Sequence, residues 1–191
     1  MVISNLLKHP KQTGETTMAQ FNACAQLVTD EATQQARAAA ESLRSNGEQY
    51  LDTMMAMQRS LQVKLAKEKP EMNQCPNNIE TAGQAVDWMR SQWDSMGDEF
   101  RELLTSFGGM SNGESAATSV WKAWRAKNLD MRNTKLDDLS ESDRREVFFE
   151  IVDLWHFFLN MNIVLGLTAE DIFEGYYIKN AENFARQDRG Y

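Results

Sequence analysis

Little in this sequence would cross-link the chain, break its helices or draw it to a polyanion. Two cysteines, Cys24 and Cys75, stand among 191 residues. They are too few and too arbitrarily spaced for a disulfide framework or a zinc site, and a reducing cytoplasm suits them. Three prolines and ten glycines leave long stretches uninterrupted. Basic residues are short as well: 20 Lys and Arg against 28 Asp and Glu give a formal charge of -8. That balance argues against direct nucleic-acid binding, which needs clustered cations. An anionic substrate would need its positive charge supplied locally, by a metal or a few basic side chains. No apolar run reads as long enough to span a membrane, and the first residues lack the apolar region of a signal peptide. The expectation is a cytoplasmic protein with no membrane contact.

What is present favours helix. Apolar residues make up 42% and charged residues 25%, a balance suited to a folded chain. Residues 1–17 are polar and pattern-poor and read as an extension ahead of a domain at 18–191. Helices are expected over about 18–44, closed by Asn46-Gly47, and over about 48–69, stopped by Pro70, with a loop at 70–78. A third is expected over about 80–107, with a core-facing stripe of Val86, Met89, Trp93, Met96, Phe100 and Leu103, and Gly108-Gly109 after it. A short helix around 116–127 leads into a polar linker to Leu139. Ser140-x-x-Asp143 then opens the most apolar helix of the chain. Gly166 ends that helix, and Thr168-x-x-Asp171 opens the last one, which runs to about Gln187. No strand pattern and no internal repeat stands out, so the fold class is all-α, a helical bundle.

Charged groups sit where a bundle should be dry. The segment "EVFFEIVDLWHFFLNMNIVL" is apolar on nearly every face and belongs in the middle of a bundle. Glu150 and Asp153 nevertheless lie three residues apart on one side of it, with Asn160 beyond and His156 at the margin. Glu99 and Glu102 repeat that spacing on the third helix, whereas Asp98 should face solvent. Ionised carboxylates in a dry bundle cost several kcal/mol each unless paired or coordinated. Two answers are open: salt bridges to Arg90, Arg101, Arg144 or Arg145, or a cation. Hard oxygen donors without a cysteine or histidine cluster favour Mg²⁺ over zinc. A di-iron carboxylate site would require two Glu-x-x-His motifs, which the chain lacks.

The last helix aligns Tyr176, Lys179, Asn183 and Arg186 on one face. Lysine and arginine with an amide between them suit phosphate oxygens; a solvated face near Glu174 and Glu182 is the alternative. Lys122 and Arg125, which follow Trp121 and Trp124 respectively, form a second cationic cluster or flank a tryptophan core anchor. Gln58 and Gln62 lie along the apolar stripe of the second helix. Their amides would meet either a nucleobase edge or a neighbouring helix.

The stretches "MAQFNACAQL", "MMAMQRSLQVKLA", "ETAGQAVDWMRSQWD", "DEFRELLTSFG", "VWKAW", "EIVDLWHFFLNM" and "IKNAENFARQDRGY" carry a resemblance that runs from Met18 to Tyr191. Here the chain resembles the dCTP pyrophosphatases (dCTPase-dUTPases) of T-even-type bacteriophages, within the dimeric, all-α dUTPase-like family. The resemblance implies an all-α homodimer that binds two or three Mg²⁺ ions. It also implies hydrolysis of dCTP and dUTP to the monophosphate and pyrophosphate, and cleavage of the diphosphates. Glu99, Glu102, Glu150 and Asp153 match its metal ligands, and Lys179, Asn183 and Arg186 its phosphate-binding pattern. Gln58 matches its base-proximal glutamine. Where relatives place asparagine three residues later, this chain has Leu61 and then Gln62. The resemblance further implies other phage deoxynucleotide-synthesis enzymes as partners, in the cytoplasm of an infected host cell. Other readings are a strict dUTPase, a house-cleaning nucleotide pyrophosphatase, or a non-catalytic helical interaction protein.

Overall fold

The computed structural model describes residues 29–71, 73–107, 122–126 and 129–190. The expected extension, the start of the first expected helix, the Gly108-Gly109 stop, Trp121 and most of the 116–127 helix lie outside these residues. Among the described residues there are six α-helices: α1 (Asp30–Asn46), α2 (Tyr50–Glu68), α3 (Ala82–Phe107), α4 (Leu129–Asn133), α5 (Glu141–Val164) and α6 (Ala169–Asp188). Short 3₁₀ turns at Pro76–Asn78 and Leu136–Asp138 complete the regular structure, and none of it is strand. The all-α expectation holds. The linker before Leu139 is less bare than expected, since it holds α4 and the second of these turns.

Local chemistry sets most helix ends. Gly47 has φ 71°, so Gly47 N–H reaches Arg44 O and Glu48 N–H reaches Leu43 O, the two bonds of a Schellman end. Gly166, with φ 70°, closes α5 the same way through Leu167 N–H to Asn162 O. Thr81 and Gln84 cap α3 reciprocally: Gln84 N–H donates to Thr81 Oγ1, and Thr81 N–H to Gln84 Oε1. Ser140 Oγ accepts from Asp143 N–H at 3.0 Å at the start of α5. Thr168 and Asp171 form a complete capping box on α6, and Pro70 follows α2 at the residue after its C-cap, Lys69.

The chain forms two compact units, one from Met1–Ser42 and Trp93–Trp155, the other from Leu43–Gln92 and His156–Tyr191. The second unit has an apolar cluster of Met55, Leu159, Ile163 and Ala169, flanked by Leu51 and Ile172. Arg59 ties it together by donating to Asn77 Oδ1 at 2.8 Å and to the carbonyl of Ile163 at 3.2 Å. In the first unit the buried side chains include Leu103 and Ser106 on α3 and Arg145, Glu146 and Glu150 on α5. Arg145 is held by Glu141 at 2.7 Å.

Two expectations about faces need correcting. On α3 the expected core stripe is largely exposed: Trp93 is 67% exposed, Val86 and Phe100 are at least half exposed, and only Leu103 is buried. The buried face instead carries Trp88, Gln92, Leu103 and Ser106. Periodicity located an apolar face correctly but could not say what covers it, and polar residues with internal partners took the inner face. On α5, Ile151, Trp155 and Phe158 are exposed, so burial is not all-round. That helix is also long and apolar enough, by length and composition alone, to cross a membrane, contrary to the sequence reading. Buried Arg145, Glu146, Glu150 and Asn160 mark it as a helix packed against protein.

Thr168→Ala removes the hydroxyl half of the α6 box, leaving the backbone N–H of residue 168 to donate to Asp171, and should lower unfolding free energy by about 1 kcal/mol. Thr168→Ser should retain most of it, as read by urea denaturation.

Candidate metal centre

The first unit gathers carboxylates from two helices. The i,i+3 spacing puts Glu99 and Glu102 on one side of α3, and the same spacing puts Glu150 and Asp153 on one side of α5. Carboxylate oxygens of Glu99, Glu102 and Glu150 all lie within 4.8 Å of one another. Asp153 stands outside that tight group but contributes its charge to both Glu99 and Glu150.

The electrostatics of the group are strongly unfavourable in the absence of a cation. Glu150 is only 7% exposed, and its Oε2 is buried with no hydrogen-bond partner. Burial, then the negative charges of Glu102, Glu99, Asp153 and Glu146, pushes its carboxyl from the ordinary 4.5 up to about 7. Glu99 is raised too, by burial first and then by Glu102 and Asp153. Salt bridges do not relieve the three glutamates: Arg101 pairs with Asp98 and Arg145 with Glu141. Among the described residues no lysine or arginine forms an ion pair with Glu99, Glu102 or Glu150. Asp98 is exposed, as the sequence indicated. A hard, oxygen-only donor set with one orphaned buried oxygen fits a divalent cation such as Mg²⁺.

The second unit holds a buried polar chain. Gln58 is 3% exposed; its Nε2 donates to Asn160 Oδ1 at 2.8 Å, and its Oε1 faces His156 Nδ1 at 2.5 Å. Asn160 Nδ2 in turn donates to Gln92 Oε1 at 2.7 Å, and the Trp88 indole N–H donates to the Asn160 carbonyl at 3.2 Å. Both partners of the Gln58 amide lie on α5. Gln92 and Trp88 were not singled out from the sequence. Their signal is a four-residue spacing, but only the fold shows that this face turns inward.

The other candidates are less gathered. Gln62 is half-buried on α2. On α6, Lys179 and Asn183 are exposed, while Arg186 Nε donates to Glu182 at 3.1 Å, which also receives Arg189. Tyr176 is exposed beside them. Arg125 N–H turns back to Lys122 O, and Trp124 is exposed.

Comparison with known proteins identifies the family. The chain is 52% identical over 176 residues to a protein of Enterobacteria phage LZ5 named dCTP pyrophosphatase, covering 91% of this chain and all of that one. It is 46% identical over 174 residues to the dCTP pyrophosphatase of Enterobacteria phage T4, again covering 91% of this chain and all of its relative. The chain belongs to the dCTP pyrophosphatase family of T-even-type bacteriophages. A T4 protein named DNA replication protein is also 45% identical over 163 residues, which are 85% of this chain but 41% of that one. No protein-family model matches the chain, and no solved structure matches it.

For this family member the carboxylate group makes a signed prediction. Folded Glu150 keeps its proton up to about pH 7, whereas the unfolded side chain releases it near 4.5. The cation-free folded state therefore binds more protons and loses stability as pH rises from about 4.5 to about 7. Cation-free wild type should lose more Tm across that window than Glu150→Gln. Mg²⁺ should restore the loss at pH 7.5 and do little at pH 4.5; parallel profiles for the two proteins would contradict the account.

Proposed function

We propose that the protein is a Mg²⁺-dependent pyrophosphatase that hydrolyses dCTP and dUTP to dCMP or dUMP and pyrophosphate, and cleaves the diphosphates to the same monophosphates. The observation that carries this reading is the uncompensated Glu150 carboxylate, packed against Glu99 and Glu102, in a family whose named members are dCTP pyrophosphatases. The family domain is taken as 18–191, with residues 1–17 as an extension ahead of it.

Glu99, Glu102, Glu150 and Asp153 are the residues assigned to two or three Mg²⁺ ions. Bound magnesium supplies charge neutralisation on the polyphosphate and Lewis acidity. Glu99 takes the proton of the attacking water, a role that suits a half-buried carboxylate whose basicity is raised by burial and by Glu102. Lys179, Asn183 and Arg186 are assigned by family resemblance to polyphosphate oxygens, Lys179 as a point charge and Arg186 as a planar fork. Gln58 and Gln62 are assigned to the base, Gln58 acting from within its hydrogen-bonded chain.

The active form is a homodimer. Exposed Trp93 and Phe100 on α3, and Phe173, Tyr177, Ile178 and Phe184 on α6, are more apolar surface than a monomer keeps. The setting is the cytoplasm of an infected bacterial cell, alongside other phage deoxynucleotide-synthesis enzymes. No direct nucleic-acid binding is expected from a chain of charge -8.

Purified protein with Mg²⁺ and equimolar dCTP, dUTP, dTTP and dATP should yield dCMP and dUMP and spare the other two. Glu150→Gln should lose at least about a hundredfold in turnover with its helical circular dichroism intact. Sedimentation should give twice the 21.8 kDa chain mass. Unchanged turnover in the variant would refute the metal role, and dUMP as the sole product would make the protein a dUTPase.

A further inference from the structure

One buried acid of the first unit has no part in the site as assigned so far. Glu146 lies four residues before Glu150 on α5, and Asp153 lies three residues after it. The three acids therefore follow one line along the helix over about two turns. Glu146 is 6% exposed, as well covered as Glu150 at 7%. At that spacing the two Cβ atoms stand about 5–6 Å apart. The residues three and four positions from Glu146 along α5 are Ser142, Asp143, Phe149 and Glu150, none of them basic.

Two carboxylates this close and this well covered repel strongly, because little water lies between them to screen the charge. An apolar side chain at 146 would pack α5 at lower cost. What the acid adds is its charge, and that charge bears on Glu150. Asp153, at the other end of the line, bears on both Glu150 and Glu99. Glu146 is not a member of the tight oxygen group, which is formed by Glu99, Glu102 and Glu150. It has further interactions in the chain, which hold it where it is.

We propose that Glu146 is a fifth acid of the cation site, a positioning residue that strengthens divalent-cation binding through Glu150 without touching the ion. The proposal rests on the reading of Glu99, Glu102, Glu150 and Asp153 as a Mg²⁺ site. The independent mark of a cation there is Glu150 Oε2, buried and without a hydrogen-bond partner. Charge arithmetic gives Glu146 its role. Its repulsion acts on one negative charge at Glu150, whereas its attraction acts on two positive charges of an ion held by the group. Over comparable distances the attraction is the larger, so the arrival of a dication turns Glu146 from a cost into a gain. An outer group that tunes a ligand in this way is worth roughly 10–100-fold in metal affinity.

The test is Mn²⁺ titration of the full chain without nucleotide, at pH 7.5 and fixed salt, with free Mn²⁺ read by electron paramagnetic resonance. Glu146→Gln keeps the shape and removes the charge. It should weaken Mn²⁺ binding at least about tenfold with helical circular dichroism intact. Glu146→Asp keeps the charge on a shorter stem and should stay within about threefold of wild type, as a group acting by charge allows and a ligating group does not. Equal affinity in wild type and Glu146→Gln overturns the proposal. So does a loss in Glu146→Asp as large as in Glu146→Gln, which assigns the effect to shape or direct ligation. Should Glu146→Gln not fold, Glu146→Met serves as the charge-free variant, since an apolar residue of similar volume is often tolerated in place of a buried charge. A wild-type chain that binds no Mn²⁺ sinks the metal reading and the fifth acid together; tight binding indifferent to the charge at 146 sinks the fifth acid alone.

Discussion

Mutual repulsion among carboxylates is the constraint around which the first unit is arranged. Glu99, Glu102 and Glu150 are brought within 4.8 Å of one another by two long helices whose i,i+3 spacing leaves little freedom to splay. Helices of 26 and 24 residues are stiff enough to hold that geometry, and the capped starts at Thr81 and Ser140 fix where each begins. Two of the arginines weighed as partners pair with other acids, Arg101 with Asp98 and Arg145 with Glu141. The result is a carboxylate group that costs stability in the cation-free chain, a cost that the proposed cation would offset.

The second unit handles buried polarity by the opposite rule. Gln58, Asn160 and Gln92 satisfy one another in sequence, with His156 and Trp88 completing the set. A connected network of this kind is favourable in a low-dielectric interior, where each unpaired member would be costly. Among the described residues the buried polar and charged side chains outnumber the buried hydrophobic ones, nine against six. The large apolar side chains sit outside, on α3, α5 and α6. Buried polar groups beside exposed Trp93, Phe100, Phe173 and Phe184 are the physical ground for the proposed homodimer.

Much of this was legible before any coordinates. The helical class, the stops at Gly47, Pro70 and Gly166, and the caps at Ser140 and Thr168 follow from local chemistry that needs no tertiary information. The carboxylate group was legible because Glu150 and Asp153 interrupt an apolar run, a conflict that only a special environment resolves. The inner face of α3 was not legible. Periodicity identifies an apolar stripe through Trp93 and Phe100 but cannot distinguish a face covered by the same chain from one covered by another. Gln92 and Trp88 escaped for a related reason, since their partner Asn160 lies 68 and 72 positions away and nothing local announces the pairing. The α4 turn was missed because five residues are too few to show a period.

The central claim is that Glu99, Glu102 and Glu150 are completed by a divalent cation. Anomalous diffraction from crystals grown with Mn²⁺ in place of Mg²⁺ tests it most directly. The account predicts an anomalous peak within coordination distance of the Glu150 carboxylate and of at least one of Glu99 and Glu102. A well-ordered carboxylate group with no peak, its charges met by arginine or lysine, would contradict it.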